Sequence, residues 1–356
     1  MKPAKHIPAL DGVRGMAAIL VLISHFHAAN LPDLISSRLG DYGVMLFFVL
    51  SGFLMGHLYL GKEPDRNAII GYAAARVGRI VPLYAIVALA SFVIYNSIDP
   101  EFVYRIDSVQ LLRLGTLTSS EAVFWSIGPE FQFYFLFPLI WMAFHAPPRH
   151  RAAALGVIGL LVAITYWFSP LAPGFSVFSK LHIFVTGILL SLAVRRLSDE
   201  TKARLRLPAE MFSIAFILIL LFPTDWARAL LLPPTQGDPK HLGYYGDPLK
   251  ILACALLILT ATLQGRVANA AWANPLMRKL GAYSFSIYLL HMPSFHLAKL
   301  LAEYFGLSIT VQAILAVILS LAIAFLSFHI IERPLNARVR AAFQRRTGTR
   351  AVGAAT

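Results

Sequence analysis

Arg14 and His25 stand eleven residues apart in the stretch LDGVRGMAAILVLISHFH, residues 10–27. On an α-helix that spacing turns through roughly 1100°, or three turns and about 20°, so both side chains leave nearly the same face, about 16 Å apart along the axis. An arginine inside an apolar span costs about 2.5–3.5 kcal/mol on insertion scales, so it faces a cavity or a partner. An imidazole accepts a hydroxyl proton near neutral pH. The pair therefore joins an anion-binding cation to a base or nucleophile. It reads equally as a snorkelling arginine and a packed histidine.

Three further places carry chemistry. Arg76 and Arg79, in RVGRIVPLY, sit at i and i+3. Two guanidiniums on one face suit a polyphosphate, each making bidentate contacts to phosphate oxygens; the alternative is a basic anchor facing lipid. Glu130 follows Trp125-Ser126-Ile127-Gly128-Pro129 and precedes Phe131-Gln132-Phe133-Tyr134. A membrane-embedded carboxylate is a functional candidate. It is expected near the outer face at the depth of His25, holding that imidazole in one tautomer and stabilising its protonated form; otherwise it partners a helix terminus. Trp125 and the Phe/Tyr cluster form either an interfacial belt or a stacking surface for sugar. His291, in GAYSFSIYLLHMP beside Ser284, Ser286 and Tyr288, reads first as a hydrogen-bonded packing residue. The pairs His25/His27 and His291/His296 have poor spacing for one helix face, so neither reads as a metal or haem site. The stretch Gly56 to Lys62 copies a phosphate loop until Glu63 stands where Ser or Thr belongs, and it follows no strand. Gly52 and Gly56 are instead read as a close helix-packing face.

These residues need a lipid-embedded scaffold. Of 356 residues, 58% are hydrophobic and only 14% charged, too few charges for a soluble domain. Several apolar runs approach or exceed bilayer-spanning length, and no polar stretch is long enough to bury its own core. The expected fold is an all-α polytopic integral membrane protein of about ten transmembrane helices, near 12–29, 43–60, 80–97, 127–145, 153–169, 180–195, 209–223, 248–265, 281–300 and 309–331. The single cysteine, Cys254, lies in an apolar run, which leaves no intrachain disulfide and no cysteine metal cluster.

The net charge of +13 points to cytoplasmic loops rather than to nucleic acid. With the N-terminus inside and the spans alternating, the inside segments hold Lys2, Lys5; Lys62, Arg66, Arg76, Arg79; Arg149, Arg151; Arg195, Arg196, Lys202, Arg204, Arg206; Arg266, Arg278, Lys279; and six arginines after Glu332. The outside segments and margins hold Arg38, Arg105, Arg113, Arg228, Lys240, and the edge residues Lys180, Lys250 and Lys299. Both termini are thus expected in the cytoplasm, with Arg14 near the inner face and His25 toward the outer. The first helix is not read as a signal peptide, because Asp11 and Arg14 crowd its start, no clean cleavage site follows and more spans come after it. Residues 1–335 form one transmembrane domain, and 336–356 are expected as a basic cytoplasmic tail on anionic lipid.

In this order, LDGVRGMAAILVLISHFH, FFVLSGFL, RVGRIVPLY, WSIGPEFQFYFLFP and SFSIYLLHMP resemble the membrane acyltransferase-3 family of bacterial-type glycan O-acyltransferases. The resemblance covers essentially the whole chain, ending near Ile331-Glu332-Arg333-Pro334. The family's basic-residue–ten–histidine motif falls on Arg14 and His25, and its Arg-x-x-Arg on Arg76 and Arg79. Many members carry an extra span and an extracytoplasmic esterase-like domain; here only a short tail follows, so the stand-alone form is expected. The family usually has Leu where Ile127 stands, and Pro129 bears on the local helix at Glu130.

The resemblance implies acyl-CoA, acetyl-CoA first, as donor substrate rather than resident cofactor. Its phosphates would dock on Arg76 and Arg79 with help from Arg14, and its pantetheine arm would thread toward His25. His25 and Glu130 would be catalytic, the imidazole acting as general base or carrying the acyl group. Trp125, Ser126, Tyr134 and His291 would face the acceptor, a glycan or lipid-linked sugar such as exopolysaccharide or lipopolysaccharide. No metal is implied, and the membrane is the cytoplasmic (inner) one. A flippase for a lipid-linked glycan would line its pathway with the same charges but transfer no acyl group. Glycosyl transfer is lowered by the lack of an Asp-x-Asp pair.

Overall fold

The computed structural model describes residues 6–31, 39–221 and 245–347. The charges expected at Lys2, Lys5, Arg38, Arg228, Lys240 and Arg350 lie outside the described residues.

Among the described residues every regular element is helical. The α-helices are α1 (Pro8–Ser24), α2 (Leu39–Tyr59), α3 (Arg66–Ser97), α4 (Ser108–Gly115), α5 (Ile127–His145), α6 (Pro148–Trp167), α7 (Leu181–Arg196), α8 (Asp199–Leu221), α9 (Pro248–Leu263), α10 (Arg266–Trp272), α11 (Pro275–Ala282), α12 (Ser284–Phe305), α13 (Ile309–Ser327) and α14 (Arg333–Thr347). A π-helical turn, Phe328–Glu332, joins the last two. A helix lies under each of the ten apolar segments. Among the described residues four helices are long and apolar enough to cross a membrane: α2, α3, α6 and the continuous run Ile309–Phe343. The pair α9 and α10, bent by 103° at its break, makes a fifth if it is one span. The other segments are shorter, as in α1 and α7 with 17 and 16 residues, charged at one end, as in α8 and α12, or rich in aromatics and proline, as in α5. The chain is a membrane protein.

Glycines set the closest approaches. A Cβ on Gly52 would fall on the Phe184 carbonyl and one on Gly187 on the Val49 carbonyl, while Gly56 faces Ser191. The expected packing face is therefore the contact of α2 with α7. α1 is wedged on two sides: Gly43 of α2 meets Ala17 and Val21, and Gly12 meets the backbone of Trp272.

Between α3 and α5 the chain turns back into the bundle. The Tyr104 hydroxyl donates to the Leu289 carbonyl and the Tyr84 hydroxyl to the Leu114 carbonyl, both at 2.9 Å. α5 therefore starts inside the bundle, not at its edge. At its other end Trp141 Nε1 donates to the Lys62 carbonyl at 2.7 Å. The Arg-rich segment after Glu332, expected as a solvated tail, is helical through Thr347 and lies along α3, where Gly78 leaves room for Asn336.

Candidate active site

Arg14 on α1 and Arg76 and Arg79 on α3 converge on two adjoining cavities and line both. The wider, a cavity of about 760 Å³, opens at the N-terminal end of α1 and also carries Arg278, Lys279, Arg333 and Arg340, against Asp11 and Glu332. The narrower, a cavity of about 40 Å³, is lined by Val44, Phe47, Ser51, Ser126, Glu130, Tyr134 and Tyr288 among others. Arg76 is 9% exposed. Its guanidinium lies 5.5 Å from the centroid of the Tyr134 ring, and its Nε has no hydrogen-bond partner. Among the described residues no carboxylate comes within ion-pair distance of Arg76 or Arg79, and Arg14 reaches only Asp11, at 4.0 Å. A buried guanidinium without a counter-ion is costly; an anionic ligand would complete it.

Glu130 is not beside His25. Its Oε1 accepts from Ser51 Oγ and from the Tyr134 hydroxyl, each at 2.6 Å. Its depth follows from the pairing of α1 with α2, in which Gly40 abuts Ser24 and Gly43 abuts Ala17 and Val21. Ser51, eleven residues beyond Gly40, lies about 16 Å farther along α2, at the level of Arg14. The expected shared depth with His25 fails because α5 begins inside the bundle. In its first turn Glu130 is the carboxylate of the arginine cavity, at a helix end whose dipole favours an anion.

His25 caps α1. Its Nδ1 contacts the Val21 carbonyl at 2.8 Å, which assigns the proton to Nδ1 and leaves Nε2 as the acceptor. His291 is arranged alike: Nδ1 contacts the Tyr288 carbonyl at 2.8 Å and the Ile287 carbonyl at 3.2 Å, and its buried Nε2 has no partner. The two rings meet edge to face with centroids 4.9 Å apart. His291 is wholly buried, as a packing residue is, but it packs against His25. Local sequence carries no signal of that contact, since the two lie near opposite ends of the chain.

Neither imidazole lines either of these two cavities. Both lie past Tyr288, whose ring centroid is 6.2 Å from that of His291. The Tyr288 hydroxyl shares a 2.6 Å hydrogen bond with Ser126 Oγ and donates to the Val123 carbonyl at 3.0 Å. Ser126 and Tyr134 line the inner cavity, as does Tyr288. Trp125 lies outside it, packed 5.5 Å from the Tyr245 ring with the Lys180 ammonium 6.0 Å from its own centroid. Sequence reasoning missed Ser51 and the shared vestibule of Arg278, Lys279, Arg333 and Arg340, which read only as loop and tail charge. It also missed Glu332, buried on the vestibule wall and accepting from Ser286 Oγ at 2.8 Å.

A helical membrane scaffold with three arginines around a cavity and paired imidazoles beyond it defines a class. Residues 7–329 match the family model described as an acyltransferase domain, and the chain belongs to the acyltransferase-3 family. Its relatives include YrhL of Bacillus subtilis, 25% identical over 96% of this chain and 57% of YrhL. The peptidoglycan O-acetyltransferase OatA of Listeria monocytogenes is 23% identical over 93% of this chain and 56% of its own length. The O-acetyltransferase OatA of Staphylococcus aureus is 22% identical, over 96% and 59%. The chain thus spans less than two thirds of the length of each of these relatives. No solved structure matches it.

Proposed function

We propose that the chain is a membrane O-acyltransferase that takes an acyl group, acetyl first, from cytosolic acyl-CoA and delivers it to a glycan hydroxyl on the opposite side of the membrane. The tandem of cavities carries this reading. Acyl-CoA has a polyanionic nucleotide end and a long uncharged arm ending in a thioester. A wide cationic vestibule followed by a narrower passage suits that order of charge and shape. The names of the relatives support acetyl as the acyl group and make peptidoglycan the first acceptor to test, ahead of exopolysaccharide or lipopolysaccharide.

The charge of the loops supports ten spans with both termini cytoplasmic, in the inner membrane. Reporter fusions at residues 65 and 200 should report cytoplasm and one at 100 the opposite side; a periplasmic signal at 200 breaks this topology.

In the reaction Arg14, Arg76 and Arg79 hold donor phosphates, and the arm passes Ser51, Glu130 and Tyr134. The thioester reaches His25 once the Tyr288 ring turns aside. His25 Nε2 takes the proton of the acceptor hydroxyl as its oxygen bonds to the thioester carbonyl carbon. The carbon–sulfur bond then breaks and the proton passes to the leaving thiolate, giving the ester and free CoA. Transient acylation of Nε2 is the other route. Glu130 acts on the donor side, in the cavity that the three arginines line.

The test is purified protein in detergent with acetyl-labelled acetyl-CoA and peptidoglycan fragments. Labelled ester and free CoA should appear together. Movement of a lipid-linked glycan across proteoliposomes without label transfer would replace this reading with that of a flippase.

A further inference from the structure

The two cavities do not carry the same cations. Arg14, Arg76 and Arg79 line both, whereas Arg278, Lys279, Arg333 and Arg340 line the outer one alone. Arg278 and Lys279 come from α11, and Arg333 and Arg340 from α14, so two separate helices supply the outer set. None of these four has a carboxylate within ion-pair distance among the described residues. Arg340 Nε donates to Asn336 Oδ1 at 2.9 Å, and Asn336 is the residue seated at Gly78, next to Arg79. The outer wall is thus tied to the inner arginines through one close contact. Arg76, nine-tenths buried with an unpartnered Nε, marks the inner end as built for an anion.

A diphosphate bridge carries about two negative charges, which the inner three guanidiniums already meet, leaving the outer four with only Asp11 and Glu332 on the same wall. Coenzyme A carries a third phosphate, on the ribose 3′ oxygen, at the end farthest from the thioester. With the arm in the narrow cavity, the order along the donor matches the order along the protein: arm, diphosphate, then 3′-phosphate.

We propose, resting on the acyl-CoA reading above, that the outer ring of Arg278, Lys279, Arg333 and Arg340 is a 3′-phosphate subsite. It makes the enzyme selective for CoA thioesters over the same thioesters lacking that phosphate. Anionic lipid headgroups offer the same phosphate chemistry to these cations; the nucleotide is the assigned occupant because the ring adjoins the cavity of the buried arginines.

The test compares acetyl-CoA with acetyl-dephospho-CoA on the full chain in detergent. Charge-assisted contacts to one phosphate give about a tenfold or larger difference in KM, with kcat similar. Arg340→Gln combined with Arg278→Gln should bring the two KM values together by raising that for acetyl-CoA alone. Competition by adenosine 3′,5′-bisphosphate against ADP gives the same comparison by binding, without relying on a variant. Arg204→Gln, at an exposed ion pair with Glu200, should leave the ratio unchanged. Equal KM values for the two donors in the wild-type protein would overturn the subsite while leaving the donor reading intact. Turnover of neither donor would overturn both. In nanodiscs, loss of donor discrimination confined to phosphatidylglycerol membranes would assign the ring to lipid and overturn the subsite.

Discussion

Arg76→Met should separate stability from donor binding. In the empty protein Arg76 is 9% exposed, lacks a carboxylate partner among the described residues and leaves its Nε unbonded. Its compensation comes from Tyr134, whose ring centroid lies 5.5 Å away. A desolvated cation–π contact contributes about 2 kcal/mol, whereas taking a cation out of water costs several kcal/mol even after relaxation. Methionine keeps an unbranched apolar stem and adapts to irregular space. Replacing buried ions by apolar groups of like volume is neutral or stabilising by about 1–4 kcal/mol. The empty variant should therefore melt at or above the wild-type temperature. Donor binding should move the other way. One charge-assisted hydrogen bond contributes about 1.5–3 kcal/mol, and about 1.4 kcal/mol is a factor of ten, so the donor KM should rise tenfold to hundredfold while the acceptor KM stays put. Thermal unfolding over a titration of acetyl-CoA reads both effects. At a hundredfold excess over Kd the wild type gains about 2.7 kcal/mol; the variant should gain far less at the same concentration. An empty variant that melts well below wild type, with its donor-induced shift intact, would refute the reasoning and make Arg76 a structural anchor.

His25→Ala should lower acyl transfer by about 10²–10⁴-fold with acetyl-CoA affinity retained; near-normal kcat in a folded variant would return the residue to packing. His291→Ala removes the ring against His25 and should lower kcat less than His25→Ala, checked beside the melting temperature so that a purely structural loss is recognised. Gly52→Val sets a side chain on the Phe184 carbonyl; overpacking costs about 1–3 kcal/mol or more, so folded protein by fluorescence size exclusion should fall sharply. Asp99 Oδ2 lies 2.6 Å from His296 Nε2, and that hydrogen bond holds the carboxyl below its ordinary range. Because the folded value is depressed, the tether is complete above the unfolded carboxylate value and is lost as pH falls through the folded one. Hydrogen exchange over 98–106 should rise in acid for the wild type, and Asp99→Asn should flatten that dependence.

The apolar pattern located α5 closely, since its predicted limits 127–145 match Ile127–His145. What it did not carry was depth. Depth was inferred by alternating sides from the nearest loop, and that inference breaks where residues 98–126 re-enter the bundle on the Tyr84 and Tyr104 hydrogen bonds. Glu130 was thus recognised as a membrane-embedded carboxylate yet set on the wrong level. Arg14, Arg76 and Arg79 were legible because a charge in an apolar span is conspicuous on its own. Arg278, Lys279, Arg333 and Arg340 sit where positive charge is ordinary for a cytoplasmic loop, so nothing local separates a vestibule wall from a lipid anchor. The meeting of His25 with His291 depends on α1 lying against α12, a tertiary fact that neither segment encodes alone.

The Tyr288–Ser126 hydrogen bond also bears on the membrane as an electrical barrier. A vestibule rich in guanidiniums admits water and small anions, and past Tyr288 lie two imidazoles able to pass protons. Were that path continuously wet, each ion crossing it would release about 2.3 kcal/mol per 100 mV of membrane potential, draining the gradient the cell spends energy to hold. The tyrosine ring, pinned at its hydroxyl from two sides, stands between the inner cavity and the two imidazoles. Tyr288→Ala should accordingly turn the protein into a leak, measurable as proton or chloride conductance in proteoliposomes.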